Sequence, residues 1–325
     1  MTTTLRWGVV GAGAIARRRM IPGLLSAGHE LRAVCRRDRA AAEEVAAEFG
    51  AAAATDPEEV FGDRSIDAVY IATPPDSHER LAVAALRAGK HVLLEKPMSL
   101  DAAAALRITE EAARSGRALM LGYMMREHPL HRRMRDSVSS GAIGALRLVR
   151  ADFCFEYSAP DDWRAFSATS GGGAFADLGP HLIDLISWIS GVPPRAVGAL
   201  ATGEGRRSGS EPAATALLQL DGDAHAMITT RFDHAAERSP RSLEFWGTEG
   251  ALVAHQTVGQ ESCGWLTTPD GRFDVDGPVD LYAAQAATFR RLVNTPSEWR
   301  AHREQALLTQ QVTDDVYAAM AVSSP

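Results

Sequence analysis

Three sets of residues have the types and spacing to do chemistry. Lys96 stands between Glu95 and Pro97, directly after the apolar run His91–Leu94. An ammonium fixed at a strand end can hydrogen-bond a reacting oxygen and stabilise the charge that develops on it. Glu95 would hold either that lysine or a cofactor. Asp177 and His181 lie four residues apart after Gly171-Gly172-Gly173, so on a helix they share one face. Histidine takes a hydroxyl proton near neutral pH, and a carboxylate orients it or binds a neighbouring hydroxyl. Pro180 removes one helical hydrogen bond, so either the helix begins near Gly179 or it tolerates a local defect. Asp184, one turn on, either supports the pair or faces solvent. The third set, Gly11, Gly13 and Ala16, has the G-x-G-x-x-A spacing of a dinucleotide-binding turn. Gly11 permits a tight strand-to-helix turn and Gly13 lets backbone approach a pyrophosphate. Ala16 lets the helix pack closely, and the helix N-terminus offers N–H groups to the anion.

These residues need elements to place them. Residues 1–125 alternate strand and helix patterns, as expected for a Rossmann-type, doubly wound parallel sheet of five or six strands. Strands are expected at Leu5–Val10, Glu30–Cys35, Ala68–Ala72, His91–Leu94 and Leu119–Tyr123. Helices are expected at Ala14–Ala27, at Asp38–Phe49 with Asp38 as N-cap, after Thr55-Asp56-Pro57, from an acidic cap at Asp76 to Ala88, and at Asp101–Ser115. Lys96 and Thr73-Pro74 then fall at strand C-termini, where such sheets bind ligands. Beyond Arg126 the pattern changes to a helix at Pro129–Ser140, a long strand at Leu146–Tyr157 and a helix within Gly171–Ser190. Strands follow near Ala196–Ala201, Ala214–Leu220, Ala224–Phe232, Ser242–Phe245 and Ala251–Ala254, then helices near Asp280–Asn294 and Arg300–Met320. Gly203–Pro212 reads as a flexible loop. Residues 126–325 are thus expected to form an α+β domain with a mainly antiparallel sheet, open on one face or buried there in a homodimer or homotetramer.

The chain has 325 residues, enough for two domains. A net charge of −7 and the lack of a basic stripe argue against a nucleic-acid partner. Arg17-Arg18-Arg19 reads as a solvated helix face. Cys35, Cys154 and Cys263 are scattered, which gives no metal framework and suits a reducing compartment. No leader pattern and no apolar run of ~20 residues appear. The expectation is a cytoplasmic protein without a membrane or metal. At the end of the second strand, where an acid usually binds the ribose of NAD, stand Arg36 and Arg37. Arginines there can clamp a 2′-phosphate, so NADP is favoured over NAD. An Arg36 that only stacks on adenine would suit either. Asp38 fits a helix cap better than a ribose ligand.

The sequence resembles the Gfo/Idh/MocA oxidoreductase family over nearly its whole length. The resemblance rests on G-A-G-A-I-A (Gly11–Ala16), A-T-P-P-D-S-H (Ala72–His78), A-G-K-H-V-L-L-E-K-P (Ala88–Pro97) and G-G-G-A-F-A-D-L-G-P-H-L-I-D (Gly171–Asp184). It implies Lys96, Asp177 and His181 as the catalytic set. It also implies a cofactor site that includes Gly11, Gly13, Ala14, Ile15, Ala16, Glu95 and Lys96, with Thr73, Pro74 and His78 near the ribose and nicotinamide. His78 equally suits the first turn of a helix. Trp163-Arg164 resembles the family's W-R step and is expected to face cofactor and substrate. Arg126 and His128, just past the last Rossmann strand, either bind substrate hydroxyls or face solvent. Tyr123 lines a pocket or packs, and Asp233 and His234 border the substrate. The activity implied is hydride transfer between NAD(P) and a hydroxyl or keto carbon of a sugar, nucleotide sugar or cyclitol. Three alternatives stay open: glycoside hydrolysis with transient oxidation by bound NAD, a non-catalytic NAD(P)-binding regulator, and a biosynthetic ketoreductase on a tailored sugar, which the residue at 181 counts against. The family's C3-ketoreductases more often carry Tyr where His181 stands.

Overall fold

Short, fully buried strands separated by helices build the first unit. In the computed structural model, which describes residues 4–157, 163, 166–202, 210–233, 235 and 239–322, six strands pair in the order β3-β2-β1-β4-β5-β6. They are β1 (Arg6–Val10), β2 (Glu30–Cys35), β3 (Ala52–Ala54), β4 (Ala68–Ile71), β5 (His91–Leu94) and β6 (Leu119–Leu121). Every pairing is parallel. The intervening helices are α1 (Ile21–Ser26), α2 (Arg39–Phe49), α3 (Pro57–Gly62), α4 (His78–Arg87) and α5 (Ala102–Ser115). Three start on side-chain caps. Asp38 accepts Ala41 N–H at 2.7 Å, Asp101 accepts Ala104 N–H at 2.7 Å, and Asp56 forms a capping box with Glu59.

The helix expected from Ala14 starts there but is not regular: it passes through a π-helical turn, Ala16–Met20, into α1, whose second residue, Pro22, has no N–H for the ladder. One expected start differs. Asp76 does not cap α4. It lies in a 3-10 turn, Pro75–Ser77, ahead of that helix.

The first unit comprises Met1–Gly122 together with Tyr282–Leu307, and the second Tyr123–Leu281 with Leu308–Pro325. The sequence expectation of one boundary near Arg126 therefore missed a return of the chain. Helix α9 (Leu281–Val293) and the start of α10 (Trp299–Val322) pack on the Rossmann sheet for evident reasons. Phe289 meets the fully buried Trp7 at 4.9 Å between ring centroids, and Trp299 meets His91 at 5.7 Å. Gly23 leaves no room for a Cβ, which would lie 2.8 Å from Ala283 N.

In the second unit, α6 (Pro129–Ser139) precedes β7 (Leu146–Cys154), and α7 (Ser167–Ser170) precedes α8 (Ala174–Ser190). Then come β8 (Arg195–Thr202), β9 (Ala213–Gln219), β10 (His225–Arg231), β11 (Arg241–Gly247), β12 (Ala251–His255), β13 (Trp265–Thr268) and β14 (Gly271–Asp274). The eight strands run β14-β13-β12-β11-β7-β10-β9-β8, antiparallel except for β7 against β10. The hairpin β13–β14 went unread in the sequence because Trp265–Asp274 alternates weakly. Helix α8 packs on β7, β9 and β10. The other face carries exposed Leu217 and Trp246. Residues 203–209 of the loop expected at Gly203–Pro212 lie outside the described residues, but Ser210 and Glu211 at its end are buried, so that part is no flexible loop. Among the described residues no helix is long and apolar enough to cross a membrane.

Candidate active site

The turn after β1 is shaped by crowding on one side and space on the other. Gly11 has φ +88°, and a Cβ there would lie 2.6 Å from Ala72 O at the end of β4. Only glycine fits this approach. Gly11 N–H binds Cys35 O at 3.0 Å, which ties the turn to the end of β2 beside Arg36. A Cβ on Gly13 would meet nothing closer than Gly11 O at 4.0 Å, so space is left against the backbone where a pyrophosphate would lie. Ala16 is fully buried, Ile15 half-buried and Ala14 exposed. Arg36 is half-buried and Arg37 exposed at the end of β2. A tight glycine turn, open backbone and flanking arginines fit a phosphorylated dinucleotide.

The ends of β4 and β5 are held together by His78. It is fully buried, with Nε2 2.8 Å from Thr73 O and Nδ1 2.9 Å from Pro97 O. Burial lowers its pKa, although the carbonyls around it act the other way. A ring with no exposed surface does not line the cofactor; His78 takes the other expected place, the first residue of α4, with one nitrogen near each turn. Ser77 Oγ adds a contact of 2.6 Å to Thr73 Oγ1. Thr73, Pro74, Glu95 and Lys96 are all half-buried. The buried Tyr70 hydroxyl donates to Glu95 Oε1 at 2.5 Å, and Glu95 Oε2 accepts Lys96 N–H at 3.2 Å. The Lys96–Pro97 peptide bond is cis. Tyr70 gave no sequence signal, being one apolar-looking residue in a buried strand.

In the second unit, α8 begins at Ala174 and carries Pro180 inside it, so the helix tolerates the defect. Asp177 is half-buried and His181 is 5% exposed. The ring of Tyr123 stands edge-on to His181, 6.0 Å between centroids at 77°. The Phe153 ring is 6.2 Å away between centroids, tilted at 60°. Tyr123 therefore packs against the histidine.

Arg126 and Asp184 are bound to each other. Arg126 donates Nε–H to Asp184 Oδ2 at 2.8 Å and Nη2–H to Oδ1 at 2.5 Å. Burial opposes both charges. On Arg126 the carboxylate outweighs burial and raises the pKa, whereas on Asp184 burial dominates and raises it. That edge of Arg126 is bound to Asp184 rather than offered to substrate, and Asp184 neither faces solvent nor touches His181 as a partner. His128 is buried as well, accepting Leu130 N–H at Nδ1 and lying 3.0 Å from Cys263 O at Nε2. Asp233 forms a two-point ion pair with Arg231 at 2.8 Å. Half-buried Trp163 accepts Thr169 Oγ1–H at its carbonyl, 2.8 Å away. Arg164 and His234 lie outside the described residues.

Comparisons with known proteins point the same way for both units. Residues 5–123 match the model of the GFO/IDH/MocA oxidoreductase family with an NAD-binding Rossmann fold, and residues 131–253 match the family's C-terminal domain. The chain is 36% identical over 296 residues, 89% of this chain and 85% of the relative, to dTDP-3,4-didehydro-2,6-dideoxy-alpha-D-glucose 3-reductase of Streptomyces violaceoruber. It is 29% identical over 299 residues, 89% of this chain and 88% of the relative, to 1,5-anhydro-D-fructose reductase of Ensifer adhaerens. Among solved structures it is similar to a 3-ketoreductase from Actinomadura kijaniata in complex with NADP and TDP-benzene. The TM-score is 0.85 at 28% identity, covering 98% of each chain.

Proposed function

The chain belongs to the Gfo/Idh/MocA family of oxidoreductases, and we propose that it moves a hydride between NADP and a hydroxyl or keto carbon of a sugar, nucleotide sugar or cyclitol. The observation that carries this reading is the Asp177–His181 pair, one turn apart on α8, with the rings of Tyr123 and Phe153 beside His181. Bound nicotinamide supplies the hydride acceptor or donor. His181 takes the hydroxyl proton in oxidation and returns it in reduction. Lys96 hydrogen-bonds the reacting oxygen and stabilises its developing charge. Asp177 orients His181 and binds a neighbouring hydroxyl. Gly13 leaves its backbone open to the pyrophosphate, and Arg36 binds the 2′-phosphate. NADP rather than NAD is supported by that arginine and by the NADP-bound ketoreductase relative. Homo-oligomers form through the open face of the second sheet, where Leu217 is 47% and Trp246 43% exposed.

The test is a screen of sugars, nucleotide sugars and cyclitols with NADP and NAD, followed at the absorbance of the reduced nicotinamide. Lys96→Ala and His181→Ala should each abolish turnover while cofactor affinity stays near wild type. Wild-type turnover in either variant overturns these roles.

A further inference from the structure

Helix α8 begins without a cap of its own. Its N-cap is Gly173, which has no side chain, and the first-turn N–H groups need acceptors from elsewhere. They find them on two distant residues. Glu211 Oε2 accepts Gly173 N–H at 2.8 Å and Oε1 accepts Phe175 N–H at 2.8 Å. The Glu211 main-chain oxygen accepts Ala174 N–H at 2.8 Å. Tyr317 Oη accepts Ala176 N–H at 2.9 Å and donates its own hydrogen to Glu211 Oε1 at 2.9 Å. Asp177 is the first residue whose N–H turns back into the helix, to Gly173 O at 3.2 Å. Every main-chain donor from Gly173 to Ala176 is thus held by Glu211 or Tyr317.

The cap also explains the glycines. A Cβ on Gly173 would lie 2.0 Å from Glu211 O, and one on Gly172 1.9 Å from Tyr317 Oη. The glycine run lets the two capping residues come this close. Glu211 is 9% exposed. Burial raises its pKa, while the N–H donors and the Tyr317 hydroxyl pull it back. A carboxylate at this end also faces the positive pole of α8.

We propose that Glu211 and Tyr317 are positioning residues for the reaction: they fix the first turn of α8 and thereby the aim of Asp177 and His181. This rests on the reading of Asp177 and His181 as the catalytic pair. In Glu211→Gln, an amide nitrogen must face either Gly173 N–H or Phe175 N–H, donor against donor. In Tyr317→Phe, Ala176 N–H loses its acceptor but the carboxylate stays.

The experiment measures kcat, KM and the pH profile of each variant on the best substrate from the screen, per cofactor-binding site, with wild type and His181→Ala alongside. Both variants are expected to bind NADP as wild type does and to lose roughly tenfold to a hundredfold in kcat, with KM changed less. Glu211→Gln also removes a negative charge from the helix end, so the acid limb of its oxidation profile moves to lower pH, whereas that of Tyr317→Phe stays. Should Glu211→Gln not fold, the kcat of Tyr317→Phe decides. A lowered unfolding temperature with wild-type kcat per site and an unmoved acid limb would show a merely structural cap and overturn the proposal. Full activity in His181→Ala would instead refute the catalytic reading on which it rests.

Discussion

Replacing Asp184 by Ala tests how the face of α8 that carries Asp177 and His181 is held. The carboxylate is 1% and the Arg126 side chain 18% exposed, and two charge-assisted hydrogen bonds join them. Alanine removes both bonds and leaves a guanidinium among Tyr123 and Trp188, whose ring centroids lie 6.0 and 5.8 Å from its carbon. Removing one partner of a buried pair costs about 3–5 kcal/mol. At roughly 2–4 °C per kcal/mol for a unit this large, the midpoint should fall by about 6–20 °C. Tyr123 sits three residues before Arg126, so kcat should fall too. The double variant Arg126→Met with Asp184→Leu removes both charges and should recover most of the stability. Thermal and urea unfolding read the first effect, and steady-state kinetics the second. A loss under about 1 kcal/mol in Asp184→Ala, or no recovery in the double variant, refutes the account of a buried pair. A stable double variant with a much raised KM would show that Arg126 does touch substrate.

Two further outcomes follow from the geometry. Arg36→Asp should lower the NADP-to-NAD affinity ratio by about tenfold or more, as loss of a charge-assisted phosphate contact implies; an unchanged ratio in fluorescence titrations would sink the cofactor assignment. Burial holds His128 at about 4 and His131 at about 3, against an ordinary 6.5. The unfolded chain therefore takes up their protons first: their contribution is complete above pH ~6.5 and is lost as the pH falls towards 4, by up to about 1.4 kcal/mol per pH unit for each. Urea midpoints should drop steadily from pH 7 to pH 5, and less steeply in His131→Asn; equal slopes would count against the buried pair as the cause.

The Rossmann unit was legible because its signals are local. Strand runs, aspartate caps and the glycine turn each act within a few residues, and β5 occupies the expected His91–Leu94. What escaped depends on residues far apart in sequence. Nothing in Tyr282–Leu307 says that it returns to the first unit, since that depends on Trp7 finding Phe289. His78 is visible as a helix-start residue, but its place between Thr73 O and Pro97 O depends on two loops meeting. That Arg126 pairs with Asp184, 58 residues on, is likewise invisible in the sequence. Glu211 sits at the edge of a Gly/Ser-rich stretch whose composition reads as a loop, which hid a buried carboxylate.

On α8, Asp177, His181, Asp184 and Trp188 are spaced i, i+4, i+7, i+11 and so form one stripe along a largely buried helix. The segment from Tyr123 to Arg126 runs along part of it: Tyr123 meets His181, and Arg126 meets Asp184 and Trp188. The stripe is therefore held at one end by Glu211 and Tyr317 and along its side by Arg126. These clamps share no partner, so their effects on stability should add in a Tyr317→Phe, Asp184→Ala variant to within about 0.5 kcal/mol. Their effects on kcat should not add, because both act by letting the same Asp177–His181 pair drift, and a pair already out of line has less alignment to lose. A double variant whose loss in kcat equals the product of the single losses would mean that the two clamps act on different parts of the reaction.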